Sequence, residues 1–265
     1  MDNSTKTVSS INFSVSGWSG SGATSLALLL TSLFEYNYLH MGGVFRHLGM
    51  VLGSSEEGLN RPQFDSYVEP IIGHTVDKYR DHKLLEGEKT LVDSDLGTFL
   101  IGKHPKVFSV FLKSSHEARI GRVIKDKRDD AVSVLKERDE TNKNFYMDLH
   151  DVDIYDEELI DRKFNCVIDN TNVTLKTEVE LVIESLSTIE HIKDQFNFEK
   201  ILSKVDYEIS DFSVTDKNIY KEKLKKLGLI ISPQDIIKDM TKTFPEDITE
   251  YPENIRNIFL GINEN

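Results

Sequence analysis

Four residues near the start of the chain carry spacing that suits phosphate chemistry. In "SVSGWSGSGATS", running from Ser14 to Ser25, Gly17, Gly20 and Gly22 stand where a phosphate-cradling loop needs glycine, and Thr24 stands where it needs a hydroxyl. Small residues let successive backbone N–H groups converge on phosphate oxygens, and the positive end of the following helix adds to the field. Gly17, Ser19, Gly20, Ser21, Gly22, Ala23, Thr24 and Ser25 are the candidate phosphate contacts, with Thr24 offering its hydroxyl to Mg²⁺. The full pattern, G-x-x-x-x-G-K-[ST], is broken at one place: Ala23 replaces the lysine. A tight turn between a strand and a helix is the other reading of such a loop.

The missing charge must come from elsewhere. The chain carries 32 Lys and Arg against 45 Asp and Glu, a net charge of −13. That balance argues against general binding to nucleic acid or to an anionic membrane, and it makes each local cluster of cations informative. One such cluster lies between Arg119 and Lys143 and includes Arg122, Arg128 and Arg138. Arginine suits the task because its planar fork holds two phosphate oxygens at once. The bland reading is a solvated helical face, since "KDKRDD" and "KERDE" mix both signs. A second acidic pair, Asp93 and Asp95 in "TLVDSDLGTF", sits at the end of an apolar run. An acid at a strand end beside such a loop can hold Mg²⁺ through water, so Asp93 is the metal candidate beside Thr24. Asp95 is a second candidate there, or the cap of the next turn. The histidines show no metal-ligand spacing, and a zinc site is not expected.

These residues need a scaffold. "INFSVSG" reads as a strand running into the glycine loop, and "ATSLALLLTSLFEY" as a helix with a broad apolar face. "YLHMGG" predicts a short strand or turn with helix from about Val44. Ser54–Gln63 reads as loop, and helix resumes near Pro70. "KTLVDSDLG", "KVFSVFLKSS" and "FNCVIDNT" predict further strands, separated by helices that start with Ser115 as a cap and with "DDAVSVL". Strand and helix alternate, which implies an α/β fold: a parallel sheet covered on both faces in a three-layer αβα arrangement. After about Glu190 the alternation stops. Residues 9–190 are therefore expected to form the main domain, and 191–265 a charged helical C-terminal appendage that offers a surface for a protein partner. No apolar run reaches the roughly 18 residues of a membrane span. A lone cysteine, Cys166, and the lack of a secretory signal lead us to expect a cytoplasmic protein.

"GWSGSGATS" resembles the loop of the archaeal-type cytidylate kinases, which commonly reads G-x-x-G-S-G-T-T and also lacks lysine. "MGGVFRHLG" is similar to that family's "AGEIFRELA", whose arginine grips the acceptor phosphate; here it is Arg46. "EARIGRVIKDKR" resembles the arginine-rich helix leading into the mobile lid. "KERDETNKNFYMDLHDVDIYD" resembles a lid segment of the type "REESERKRYKEIYGIDIYD". "FNCVIDNTNVTLKTEVELVIESL" resembles the closing strand and helix. The pieces run in order from Ile11 to Ile189 and imply the P-loop nucleoside-monophosphate kinase fold. By that resemblance the donor is ATP with Mg²⁺ and the acceptor CMP or dCMP. Arg122, Arg128 and Arg138 would then stabilise the migrating group, and Arg46 and Asp95 would line the acceptor site. The chain departs from the family at Ser94 and Asp95, which occupy the Gly-Arg positions of segments such as "VVLEGRLAG". An anion there opposes an acceptor phosphate. A nucleotide-binding protein without kinase activity, or a kinase for another small acceptor, therefore stands as the alternative.

Overall fold

The computed structural model of the chain describes residues 10–51, 68–125, 131–190, 192–215 and 217–261. Five parallel strands form one sheet in the order β2-β3-β1-β4-β5, with β1 (Asn12–Gly17), β2 (Asn37–His40), β3 (Thr90–Asp93), β4 (Val107–Lys113) and β5 (Cys166–Asp169). The β1 strand is central, pairing Val15 with Asp93 on one side and with Val110 on the other. All six of its residues are buried. This follows from a parallel sheet covered on both faces, which leaves no strand face for water.

Alternation along each strand divides the core. Phe13, Val15, Leu91, Val110, Leu112 and Ile168 point to one face, where they meet α1 (Ala23–Phe34), α7 (Leu175–Ser187) and α8 (Phe198–Val214). Val92 and Val107 point to the other, against α2 (Met41–Val51) and α3 (Val68–Glu86). Phe111 on that same face packs with Phe99, Tyr146, Ile154 and Phe164, below the junction of α5 (Ala131–His150) and α6 (Glu157–Lys163). The long apolar face of α1 has a physical reason: Leu26, Leu28, Leu29, Leu30 and Leu33 are buried because the helix lies between the sheet and α8. Ser115 caps α4 (His116–Lys125) as its position predicts, accepting from the Ala118 N–H at 3.2 Å. Pro70 falls in the first turn of α3, where its missing N–H costs nothing. The loop expected at Ser54–Gln63 lies outside the described residues.

The segment after Glu190 is helical, as expected, but it does not stand apart from the sheet. It contains α8, α9 (Lys217–Lys226), α10 (Pro233–Thr243), α11 (Pro245–Thr249) and α12 (Glu253–Leu260). Val205, Tyr220 and Leu224 are buried in the α1 face of the core, and Ile236, Met240, Ile255 and Phe259 in the α2–α3 face. Gly228, with φ 73°, ends α9 in the left-handed conformation that glycine adopts without penalty. The chain then joins the sheet edge: the Tyr38 N–H donates to Leu229 O at 2.7 Å, and the Ile231 N–H donates to Tyr38 O at 3.2 Å. Tyr38 and Ile230 thus form a parallel bridge that covers the free side of β2.

Candidate active site

The predicted residues gather at the carboxyl ends of the strands, where open α/β sheets place their ligands. The loop after β1 comes first. A Cβ on Gly17 would lie 2.6 Å from Leu112 O, so any other residue would push β1 and β4 apart. Gly20 and Gly22 have φ of 79° and 98°, which only glycine adopts easily. The glycine spacing therefore reflects real backbone demands. Gly22 is the N-cap of α1 and provides no side-chain cap. Among the described residues, no protein acceptor meets the amides of Gly22, Ala23 and Thr24. An uncapped helix start with free amides fits an anion, and the structure fits a phosphate there.

Asp93 ends β3 beside this loop. Its side chain is buried and is hydrogen-bonded by Thr24, by the Tyr38 hydroxyl at 2.7 Å, and by His40 Nδ1 at 2.9 Å. Burial pushes the carboxyl up, yet the adjacent His40 ring and these three hydrogen bonds outweigh it and hold Asp93 at about 2. It is an anion at any physiological pH. A hydroxyl and a fixed carboxylate meeting at the helix start suit a hard cation, so Thr24 and Asp93 fit Mg²⁺ held partly through water. Among the described residues, no three His, Cys, Asp or Glu side chains cluster into a metal site, so other ligands must complete the shell.

Arg46 lies across from this pair. Its Nη2 donates to His40 Nε2 at 2.8 Å. A guanidinium can only donate, so Nε2 accepts here and Nδ1 is the ring nitrogen turned toward Asp93. The chain Arg46–His40–Asp93 thereby links the two sides of the site. His40 had no motif to announce it; its only signal was its place at the end of a short strand. Arg46 is half-buried, and burial pulls its guanidinium below the usual range. Arg138 of α5 lowers it further, while Asp95, Asp93 and Tyr38 pull it back up. Arg138, from a distant segment, thus lies close enough for its charge to be felt at Arg46. Asp95 is half-buried, accepts from Asn142 Nδ2 at 3.3 Å, and lies within charge range of Arg46.

Arg119 and Arg122 are placed differently from the other cations. Arg119 is buried, donates from Nη1 to Ser19 O at 3.0 Å and is paired with Asp139 at 2.8 Å. Tyr155 donates to Asp139, and Trp18 stacks on Tyr155 with centroids 5.8 Å apart. Trp18 thereby pins the loop to the segment after α5. Arg122 donates to Ser21 O at 3.2 Å, to Ser114 Oγ at 2.7 Å and to Asn170. Asn170 in turn donates to Ser21 O at 2.8 Å and to buried Glu178. Both forks hold carbonyls of the loop itself. Arg80 of α3 is fully buried and paired with Asp77 and Asp81, with no open face. Arg128 lies outside the described residues.

Residues 13–172 match the model of the cytidylate kinase-like family, more than half of the chain. The chain belongs to the cytidylate kinase-like family. Curated relatives agree. It is 27% identical over 184 residues to a cytidylate kinase from Pyrobaculum neutrophilum, covering 68% of this chain and 94% of that protein. It is 26% identical over 187 residues to a cytidylate kinase from Saccharolobus islandicus, covering 66% and 90%. A crystal structure of an uncharacterized protein from Eubacterium ventriosum superposes with a TM-score of 0.50 at 14% identity, covering 68% of this chain and 99% of that one. That likeness bears on the fold alone. The family match ends at residue 172, so α7 to α12 lie outside it. Among the described residues, no helix is long and apolar enough to cross a membrane.

Proposed function

We propose that the protein transfers the γ-phosphoryl group of ATP to a nucleoside monophosphate, CMP or dCMP. The observation that carries this reading is the uncapped start of α1 beside the Thr24–Asp93 pair, with Arg46 joined to Asp93 through His40. Phosphoryl transfer is mostly positioning and electrostatic stabilisation, so a site for it is recognised by amides and cations set around one small volume.

In this reading the amides of residues 19–25 hold the donor phosphates. Thr24 and Asp93 hold Mg²⁺, which when bound neutralises phosphate charge. Arg46 holds the acceptor phosphate, with its fork oriented by His40. Arg138 adds charge to the migrating group as α5 closes, and Arg128 belongs to the same set. Arg122 acts by fixing the Ser21 carbonyl, which keeps the following amides aimed outward. Asp95 borders the acceptor and favours a ligand that donates to it, such as an amine or hydroxyl. The test is a coupled assay with Mg-ATP and a panel of monophosphates. Turnover highest with CMP or dCMP is expected, and a folded protein inert on every acceptor would overturn the reading.

One observation favours a second reading. Asp95 stands where the family's Gly-Arg segment has its arginine, within charge range of Arg46. A protein that binds ATP but does not transfer phosphate would give a calorimetric signal with Mg-ATP and no diphosphate product. A kinase for another small hydroxyl compound would turn over only outside the monophosphate panel.

A further inference from the structure

Two adjacent glycines, Gly42 and Gly43, fall in the first turn of α2. Glycine weakens a helix relative to alanine, and neither residue has the positive φ that would call for it. The reason for Gly43 is steric. A Cβ there would lie 2.8 Å from His40 Cδ2, and its three nearest atoms would all belong to the His40 side chain. A Cβ on Gly42 would lie 3.4 Å from Arg46 Nη1 and 3.6 Å from His40 Cε1, at ordinary contact distance. The bare backbone at Gly43 is therefore the seat of the His40 ring. The segment "AGEIFRELA", which "MGGVFRHLG" resembles, carries glutamate at this position, a side chain where this chain leaves room.

The ring has nowhere to yield. Nδ1 lies 2.9 Å from Asp93 Oδ2, and Nε2 accepts from Arg46 Nη2 at 2.8 Å. Tyr38 stacks on it, with ring centroids 6.1 Å apart and planes 8° apart. Tyr38 is itself fixed, through its hydroxyl to Asp93 at 2.7 Å and through its backbone bridge to Ile230. A shift of the ring away from a Cβ at residue 43 must break the bond to Asp93 or the bond to Arg46. An arginine side chain has many rotamers, so its fork keeps one aim only where another group holds it.

We propose that Gly43 and His40 are a matched pair of positioning residues: the bare turn of α2 seats the ring, and the ring holds the Arg46 fork in the aim that the acceptor phosphate requires. Both act through Arg46. The inference rests on the phosphoryl-transfer reading, in which Arg46 holds that phosphate.

Three variants test this: His40→Ala, Gly43→Ala and the two together. Each is measured by calorimetry with CMP in the absence of ATP and Mg²⁺, by kcat and KM for CMP, and by melting temperature. Loss of an orienting hydrogen bond to a charged group should weaken CMP binding roughly 10-fold in His40→Ala, with KM affected more than kcat. Gly43→Ala should do the same, because its methyl group displaces the ring. In the His40→Ala background, Gly43→Ala should cost no further affinity and should raise the melting temperature, since alanine favours the helix once the ring is gone. A role of Gly43 in the helix alone would give the same change in both backgrounds. Wild-type CMP affinity in either single variant, or losses that multiply in the pair, overturn the inference, while CMP binding and turnover by the wild type leave the kinase reading standing. A Gly43→Ala protein that fails to fold supports the pairing if the double variant folds, and overturns it if the double variant fails too. Wild-type protein that neither binds CMP nor turns over overturns both readings, and the wild type alone reveals that case.

Discussion

At the scale of single residues, the site depends on which atom each cation is aimed at. Arg46 donates to His40 and remains partly exposed, so its replacement separates two roles. Arg46→Ala should raise KM for the monophosphate about 100-fold, as loss of a charge-assisted contact implies, while Mg-ATP affinity changes less than about threefold. Equal loss of both would mean that Arg46 serves only to hold His40. Steady-state kinetics with each substrate varied in turn, with calorimetry on Mg-ATP, makes the distinction. The loop glycines, Thr24, Asp93 and Arg46 were legible in the sequence because each belongs to a short segment with local geometry. His40 was not. It meets Asp93 and Arg46 only in the fold, and no local spacing records such a meeting.

At the scale of elements, the loop is held by two latches. One runs from Arg119 through Asp139 to α5, and the other from Arg122 through Asn170 to α7. The sequence presented these arginines as a basic helix face of mixed sign and did not say which way it turned. The second latch ends on Glu178, whose carboxyl is pushed up by burial from the ordinary 4.5 to about 7, against the pull of Asn170 and Arg122. A raised carboxyl is stabilising in its protonated form. Its contribution is complete below 4.5, where folded and unfolded chains are both protonated, and is lost as the pH rises through about 7. Glu178→Gln keeps an acceptor for Asn170 and removes the charge. At pH 8 the variant should be more stable than the parent by up to about 3 kcal/mol, roughly 5 °C in melting temperature. Near pH 4.5 the two should melt together. Thermal scans at both pH values decide it, and a variant that melts lower at pH 8 would refute the account.

At the scale of the molecule, alternation of strand and helix revealed the αβα architecture, because buried parallel strands leave apolar runs between helical periods. What lay beyond Glu190 was less readable. The helices α8 to α12 show amphipathic patterns, but a pattern does not say what its apolar face will meet. In the structure those faces meet the sheet's own core. Val205, Tyr220, Leu224, Ile236, Met240 and Phe259 are all buried there. At about 1.5–3 kcal/mol for each large apolar side chain, their removal is comparable with the 5–15 kcal/mol by which a typical domain is stable, even after discount for unfolded-state burial. Truncation after Glu190 should therefore give a chain that does not melt cooperatively, in circular dichroism scans. A soluble truncated protein with a sharp transition would show that 9–190 folds alone. The bridge between Tyr38 and Ile230 carries a consequence for biogenesis. A ribosome releases β2 long before Ile230 exists, so the nascent chain displays an unpaired strand edge throughout that interval, at the stage when neighbouring chains can dock onto it. Slowing translation between these two points should raise the aggregated fraction, whereas synonymous slowing after Ile231 should leave the yield intact.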